Sequence, residues 1–81
     1  GNAVTLDTRA LVALRMGRYH EAITDYELAL QRSPNLASAL FGRGIAQIRT
    51  GNVESGRADI AAAERARPDV AARFARFGVT P

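Results

Sequence analysis

A chain that repeats itself every 34 residues has few ways to fold, because whatever one unit does its neighbour must do again beside it. Displacing the sequence by 34 positions brings Ala3 onto Ala37, Leu6 onto Leu40, Arg9 onto Arg43, Arg15 onto Arg49 and Gly17 onto Gly51. The register continues through Asp25/Asp59, Ala29/Ala63, Pro34/Pro68, Ala37/Ala71 and Gly44/Gly78, ten identities in the 47 positions that overlap. Composition alone would give roughly four. Conservative pairs such as Leu11/Ile45, Leu14/Ile48, Asn35/Asp69, Leu36/Val70 and Leu40/Phe74 keep the same physical character. One domain over 1–81 is expected, with units at 3–36 and 37–70 and a closing segment at 69–78.

Each unit reads as two helices. Leu6, Ala10, Ala13, Leu14 and Gly17 recur at three- and four-residue spacing and share one helix side. Gly17 ends that helix, and Tyr19, Ala22, Ile23, Tyr26, Ala29 and Leu30 define the apolar side of the next. Pro34 then stops it, since proline has no N–H and disfavours helical geometry at Ser33. In the second unit Gly51 repeats the stop, and Val53, Ile60, Ala61 and Ala63 form the expected apolar side. Asn35, Asn52 and Asp69 are the expected N-caps. Small residues at Ala10, Ala22, Ala29, Gly44, Gly56 and Ala63 let helix axes come close. The fold expected is all-α, and the 47% hydrophobic content with few β-branched or aromatic residues leaves little for a sheet.

The punctuation resembles the tetratricopeptide repeat (TPR) family. Gly17-Arg18-Tyr19-His20-Glu21-Ala22, then Tyr26, Ala29 and Ser33-Pro34-Asn35, is similar to that family's inter-helix turn, small-residue contact, aromatic plug, second small residue and terminating proline. Thr50 to Gly56, with Ile60, Ala63 and Arg67-Pro68-Asp69, repeats the order more loosely, and Phe74, Phe77 and Gly78 resemble the opening of a further unit. Departures are Leu6 and Leu40 for the opening aromatic, Arg9 and Arg43 for a large apolar residue, and Ala13 or Gln47 for a tyrosine. The resemblance implies a right-handed α-α superhelix of two helical hairpins closed by a capping helix, five helices in all. Phe74 and Phe77 would cover the second unit while Arg73 and Arg76 stay outside.

Catalysis finds little support in these residues. Cysteine is absent, and His20 stands alone in a turn, so neither a metal set nor a nucleophilic pair can be assembled. Ser33, Ser38 and Ser55 have no nucleophile-elbow context, and Glu21, Asp25, Glu54 and Asp59 read as solvated helix charges or ion pairs with arginine. Gly42-Arg43-Gly44 lies inside a helix rather than in a phosphate loop. The chain is therefore expected to be no enzyme, with no catalytic residues, no metal and no cofactor. All 11 basic residues are arginine, and the net charge is +3. Their even spread among eight acids argues against nucleic acid. Arginine without lysine reads as the coding bias of a GC-rich, bacterial genome.

No run approaches the roughly 18 apolar residues of a membrane span, so no membrane insertion is expected. A soluble chain is expected, cytoplasmic rather than periplasmic. Gly1-Asn2-Ala3 reads as a junction remnant at the start of a fragment.

What the family resemblance implies is a protein-protein interaction module with a concave face made by the first helix of each unit. Carried over to this sequence, the lining is Asp7, Leu11, Leu14 and Arg15 in the first unit and Phe41, Ile45, Ile48 and Arg49 in the second. An apolar ridge followed by an arginine suits a protein or peptide partner with apolar anchors and an acidic group. Some relatives hold a chaperone's terminal carboxylate in a clamp. Here Asp7, Leu11 and Ala72 replace clamp residues and only Arg76 matches, so that activity is disfavoured while Arg76 stays a candidate contact. Alternative readings are an accessory C-terminal domain of a larger bacterial enzyme or secretion component, and a homo-oligomer formed through the uncapped N-terminal end or the concave face.

Overall fold

The computed structural model describes residues 2–81, and among these five helices and no strands occur. They are α1 (Ala3–Arg15), α2 (Tyr19–Arg32), α3 (Ala37–Arg49), α4 (Val53–Ala66) and α5 (Val70–Arg76). α1 with α2, and α3 with α4, form antiparallel hairpins; α2 packs on α3, and α5 lies against both α3 and α4.

Both hairpins turn on the same device. Gly17 and Gly51 have φ of 77° and 97°, a left-handed conformation that a Cβ disfavours. This lets the Arg18 N–H donate to the Ala13 carbonyl (2.9 Å) and the Gly17 N–H to Leu14 (3.1 Å), a Schellman cap; Asn52 to Gln47 (2.8 Å) and Gly51 to Ile48 (3.1 Å) repeat it. Gly78 ends α5 in the same way, with Val79 donating to Phe74 and Gly78 to Ala75. It is therefore a helix terminator, although it shares a repeat register with Gly44 inside α3, and α5 stops short of the expected 78. α2 and α4 end just ahead of Pro34 and Pro68.

The N-caps differ from expectation. Leu36, not Asn35, stands at the cap of α3, and Asn52 and Asp69 occupy cap positions without a side-chain hydrogen bond. The working cap is Asn2, whose Oδ1 accepts from the Thr5 N–H at 2.8 Å.

The core is built on small residues. Ala10, Ala22 and Ala29 have no exposed surface. In the second hairpin Gly44 and Gly56 bring two backbones together: a Cβ on either would stand 2.7 or 2.5 Å from the other's carbonyl oxygen. Tyr26 is completely buried, with its ring laid over Gly42 of α3 where a Cβ would overlap it. Val70 and Phe74 of α5 complete the core, whereas Phe77 remains 43% exposed and Ala61 faces solvent, contrary to the expected packing.

Polar residues replace one expected apolar contact in each hairpin. Arg9 grips Asp25 with Nε at 2.8 Å and Nη2 at 2.7 Å, and Arg43 grips Asp59 with the same atoms at 2.7 and 2.9 Å. The bidentate geometry matches guanidinium to carboxylate and fixes the two helices in register. Asp25 and Asp59 are thus ion-paired rather than solvated.

One face is left open. Ala39 and Ala46 of α3 have no exposure, while Val12, the repeat counterpart of Ala46, is 54% exposed and Met16 near it on α1 is 60% exposed.

The Gly44–Gly56 approach yields a test. Alanine gains about 1 kcal/mol over glycine in helix propensity, but a Cβ on Gly56 would also lie 2.6 Å from Ile48 Cγ1. Overpacking of this kind costs about 1–3 kcal/mol. The net cost of about 0–2 kcal/mol is expected to lower the Tm of Gly56→Ala by up to about 8–16 °C, measured by thermal circular dichroism; a higher Tm would refute so close a contact.

Candidate functional site

The first helices of the two hairpins and the closing helix present their sides to a common trough. Its larger part, about 590 Å³, is walled by Asp7 and Leu11 of α1, Ser38 of α3, and Val70, Arg73 and Phe74 of α5. A second part of about 350 Å³ lies toward the far ends of α1 and α3, among Leu14, Arg15, Tyr19, Ile45, Arg49 and the segment after α5. Phe77 borders both, so the two parts adjoin.

The sequence-proposed lining divides into floor and contact surface. Phe41 and Ile45 are buried at 1% and 2% exposure, and Leu14 at 5%, so they are core residues that carry the floor. Phe41 packs on Phe74 with ring centroids 4.8 Å apart and Phe74 meets Phe77 edge-on at 6.2 Å. Ile48 leans on Gly56 inside the second hairpin and lines neither part of the trough, contrary to expectation. Arg76 is exposed and lines neither part. Asp7, Leu11, Arg15 and Arg49 are brought together on the accessible wall.

The charges at the two ends differ in kind. Arg15 and Arg49, one unit apart, face a pocket whose lining includes no carboxylate. Arg49 donates from Nη2 to the Thr80 carbonyl at 3.2 Å, so a piece of extended backbone already rests on this wall. At the other end Asp7 Oδ2 accepts from the Ser38 hydroxyl at 2.8 Å while Oδ1 is buried with no partner. Burial pushes the Asp7 carboxyl above its ordinary range, against the Ser38 hydrogen bond, which lowers it. Burial, helped by the Asp7 charge, also pushes the Tyr26 hydroxyl upward, and that hydroxyl has no hydrogen-bond partner. The Asp7–Ser38 contact, between residues 31 apart on two helices, and the unpartnered oxygen were not legible in the sequence.

Other polar residues form no reactive arrangement. His20 is exposed in the first turn of α2, remote from the trough lining, with its carbonyl accepting from the Thr24 hydroxyl. Among the described residues no group of three or more His, Cys, Asp or Glu could hold a metal, and no helix is long and apolar enough to cross a membrane.

Five helices paired into hairpins that repeat every 34 residues, with a trough along their first helices, define an all-α helical repeat protein. Residues 12–51 match the family model described as TPR repeat, which supports the tetratricopeptide resemblance. It is similar to human tetratricopeptide repeat protein 13, with 40% identity over 58 residues. That alignment takes in 72% of this chain and 7% of the relative, so the chain spans a small part of the relative's length. No solved structure matches it.

Desolvation of Asp7 sets a pH dependence. An acid with a raised folded pKa binds its proton more tightly folded than unfolded, so its burden on stability is absent in acid. That burden grows as pH rises through the window between the ordinary and the raised value, and is full above it. Asp7→Asn keeps an acceptor for Ser38 and removes the charge. It is expected to melt above the parent at about pH 7, by a margin that shrinks as pH falls through that window. Paired thermal melts across pH measure the margin; a variant less stable than the parent at neutral pH would overturn this account.

Proposed function

We propose that this chain is a non-catalytic protein-binding module whose inner trough receives a segment of another polypeptide. The observation that carries the reading is the pairing of an apolar floor with two repeat-related arginines that no carboxylate of their pocket neutralises. Helical repeats stack into extended concave surfaces suited to such binding. The partner chemistry that fits is an apolar anchor over Leu11 and Phe74 with an acidic group beside Arg15 and Arg49. The Thr80 carbonyl held by Arg49 is a small-scale precedent for backbone lying along this wall. Such a segment competes with that contact.

The test is selection of peptides from a displayed random library on the 81-residue chain, followed by fluorescence anisotropy with synthetic versions. The expected peptides combine an acidic residue with apolar neighbours. Arg15→Glu with Arg49→Glu is expected to weaken them at least about tenfold, the loss of one charge-assisted contact, while circular dichroism stays that of the parent. Selection of no peptide, or affinity indifferent to both reversals, would remove binding from this face.

A second reading has its own observation. Val12 and Met16 make an exposed apolar patch on α1, and Val12 is the repeat counterpart of Ala46, which has no exposure on α3. This favours association of that face with a further helix or with a second copy. Light scattering is expected to show a concentration-dependent increase in mass that Val12→Glu abolishes; a monomer at every concentration excludes the second copy.

A further inference from the structure

Among the described residues no ion pair to Asp7 is formed. Its carboxylate lines an apolar trough, Ser38 engages one oxygen, and the other is buried without a donor. The ion pairs are made elsewhere, by Arg9 with Asp25, Arg18 with Glu21 and Arg43 with Asp59. Arg67 and Arg73 border the same trough from α5 and the turn before it, but neither forms a hydrogen bond or ion pair with Asp7. A carboxylate held out of water with an unmet oxygen raises the free energy of the empty trough, and a charged donor brought by a partner would lower it more than a neutral one. The last torsion of an aspartate is broad and two-fold. A two-fold flip only exchanges the two oxygens, so a basic guest group engages the carboxylate through a smaller turn within that broad well, or shares the oxygen that Ser38 holds.

We infer that the Asp7 end of the trough receives a basic side chain of the bound segment, so that the trough reads a lysine or arginine at one end and an acidic group at the other. The inference rests on the trough being the peptide site. Asp7 and Arg15 are eight residues apart on α1, about 12 Å along the helix axis at 1.5 Å per residue. An extended segment advances about 3.3 Å per residue, so the basic and acidic residues should stand about four positions apart. A module with a single sign of charge along its wall would tolerate either orientation of its guest. Opposite signs at the two ends fix which way the chain runs for a given order of the two residues.

The probe is the same displayed random peptide library, selected in parallel on the parent, on Asp7→Asn and on Ser38→Ala. On the parent, a basic residue is expected to be enriched about four positions from the acidic one. On Asp7→Asn that enrichment should vanish while the acidic preference persists. On Ser38→Ala, which frees both Asp7 oxygens, the basic enrichment should change in strength but keep its dependence on Asp7, and the persisting acidic preference together with parent-like circular dichroism guards against a folding defect in Asp7→Asn. With synthetic peptides, replacing the basic residue by Gln should weaken binding at least about tenfold on the parent and less than about twofold on Asp7→Asn, the signature of direct coupling. Acidic peptides selected without any basic enrichment, or enrichment that survives Asp7→Asn, would overturn the inference and leave the trough reading intact. Selection of no peptide at all would overturn the trough reading, and this inference with it.

Discussion

The closeness of the two helices within each hairpin is the constraint from which the rest of the structure follows. A chain of 81 residues without cysteine cannot rely on a thick core or on covalent ties, and its helices of 13 and 14 residues would be marginal alone. Bringing backbones together at Gly44 and Gly56, and burying Ala10 and Ala22 completely, substitutes many short-range contacts for a few large buried side chains. Once the axes are that near, Arg43 on one helix reaches Asp59 on the other through both nitrogens. Larger residues at the crossing would widen the gap and break that reach.

The contact between hairpins obeys a different rule. There a large ring, Tyr26, settles over an absent side chain, Gly42. This burial leaves the tyrosine hydroxyl without a partner, an energetic cost borne at the same place where Asp7 carries an unmet oxygen. Two unsatisfied groups in neighbouring positions are unusual in so small a structure, and both lie along the trough. A core optimised for stability alone would have filled that site with apolar atoms or completed the network.

The sequence disclosed the architecture because periodicity, turn glycines and terminating prolines are local signals, each tied to one backbone geometry. Gly17, Gly51 and Pro34 act where local chemistry requires. The failures share a cause as well. Asn35 has the right side chain for a cap but sits one residue early, since the helix begins where Leu36 and Ala37 enter the core. Gly78 shares the register of Gly44 yet terminates a helix, because it takes a positive φ that lets Val79 and Gly78 cap the last carbonyls of α5. Phe41 and Ile45 were assigned to the binding wall by register, and register cannot say which side chains α5 will cover. Phe74 covers Phe41, so the wall retreats to Leu11 and the arginines. The Asp7–Ser38 contact was unreadable for the same reason: it joins two helices across 31 residues and depends on how they pack.

Arginine makes the difference between structural and recognition residues plain, because repeat identity does not separate them. Arg9 and Arg43 recur at the 34-residue spacing, and so do Arg15 and Arg49. The first pair meets aspartates that recur with it, so each guanidinium has a defined geometry within its own hairpin. The second pair lies about a turn and a half further along the same helices, at a pocket whose lining includes no acid. A charge that the fold repeats together with its counterion is part of the scaffold. Arg15 and Arg49 recur without one, and Arg49 meets a backbone carbonyl, that of Thr80, instead of an acid. That asymmetry, rather than the number of arginines or the net charge, is what the proposed binding role rests on.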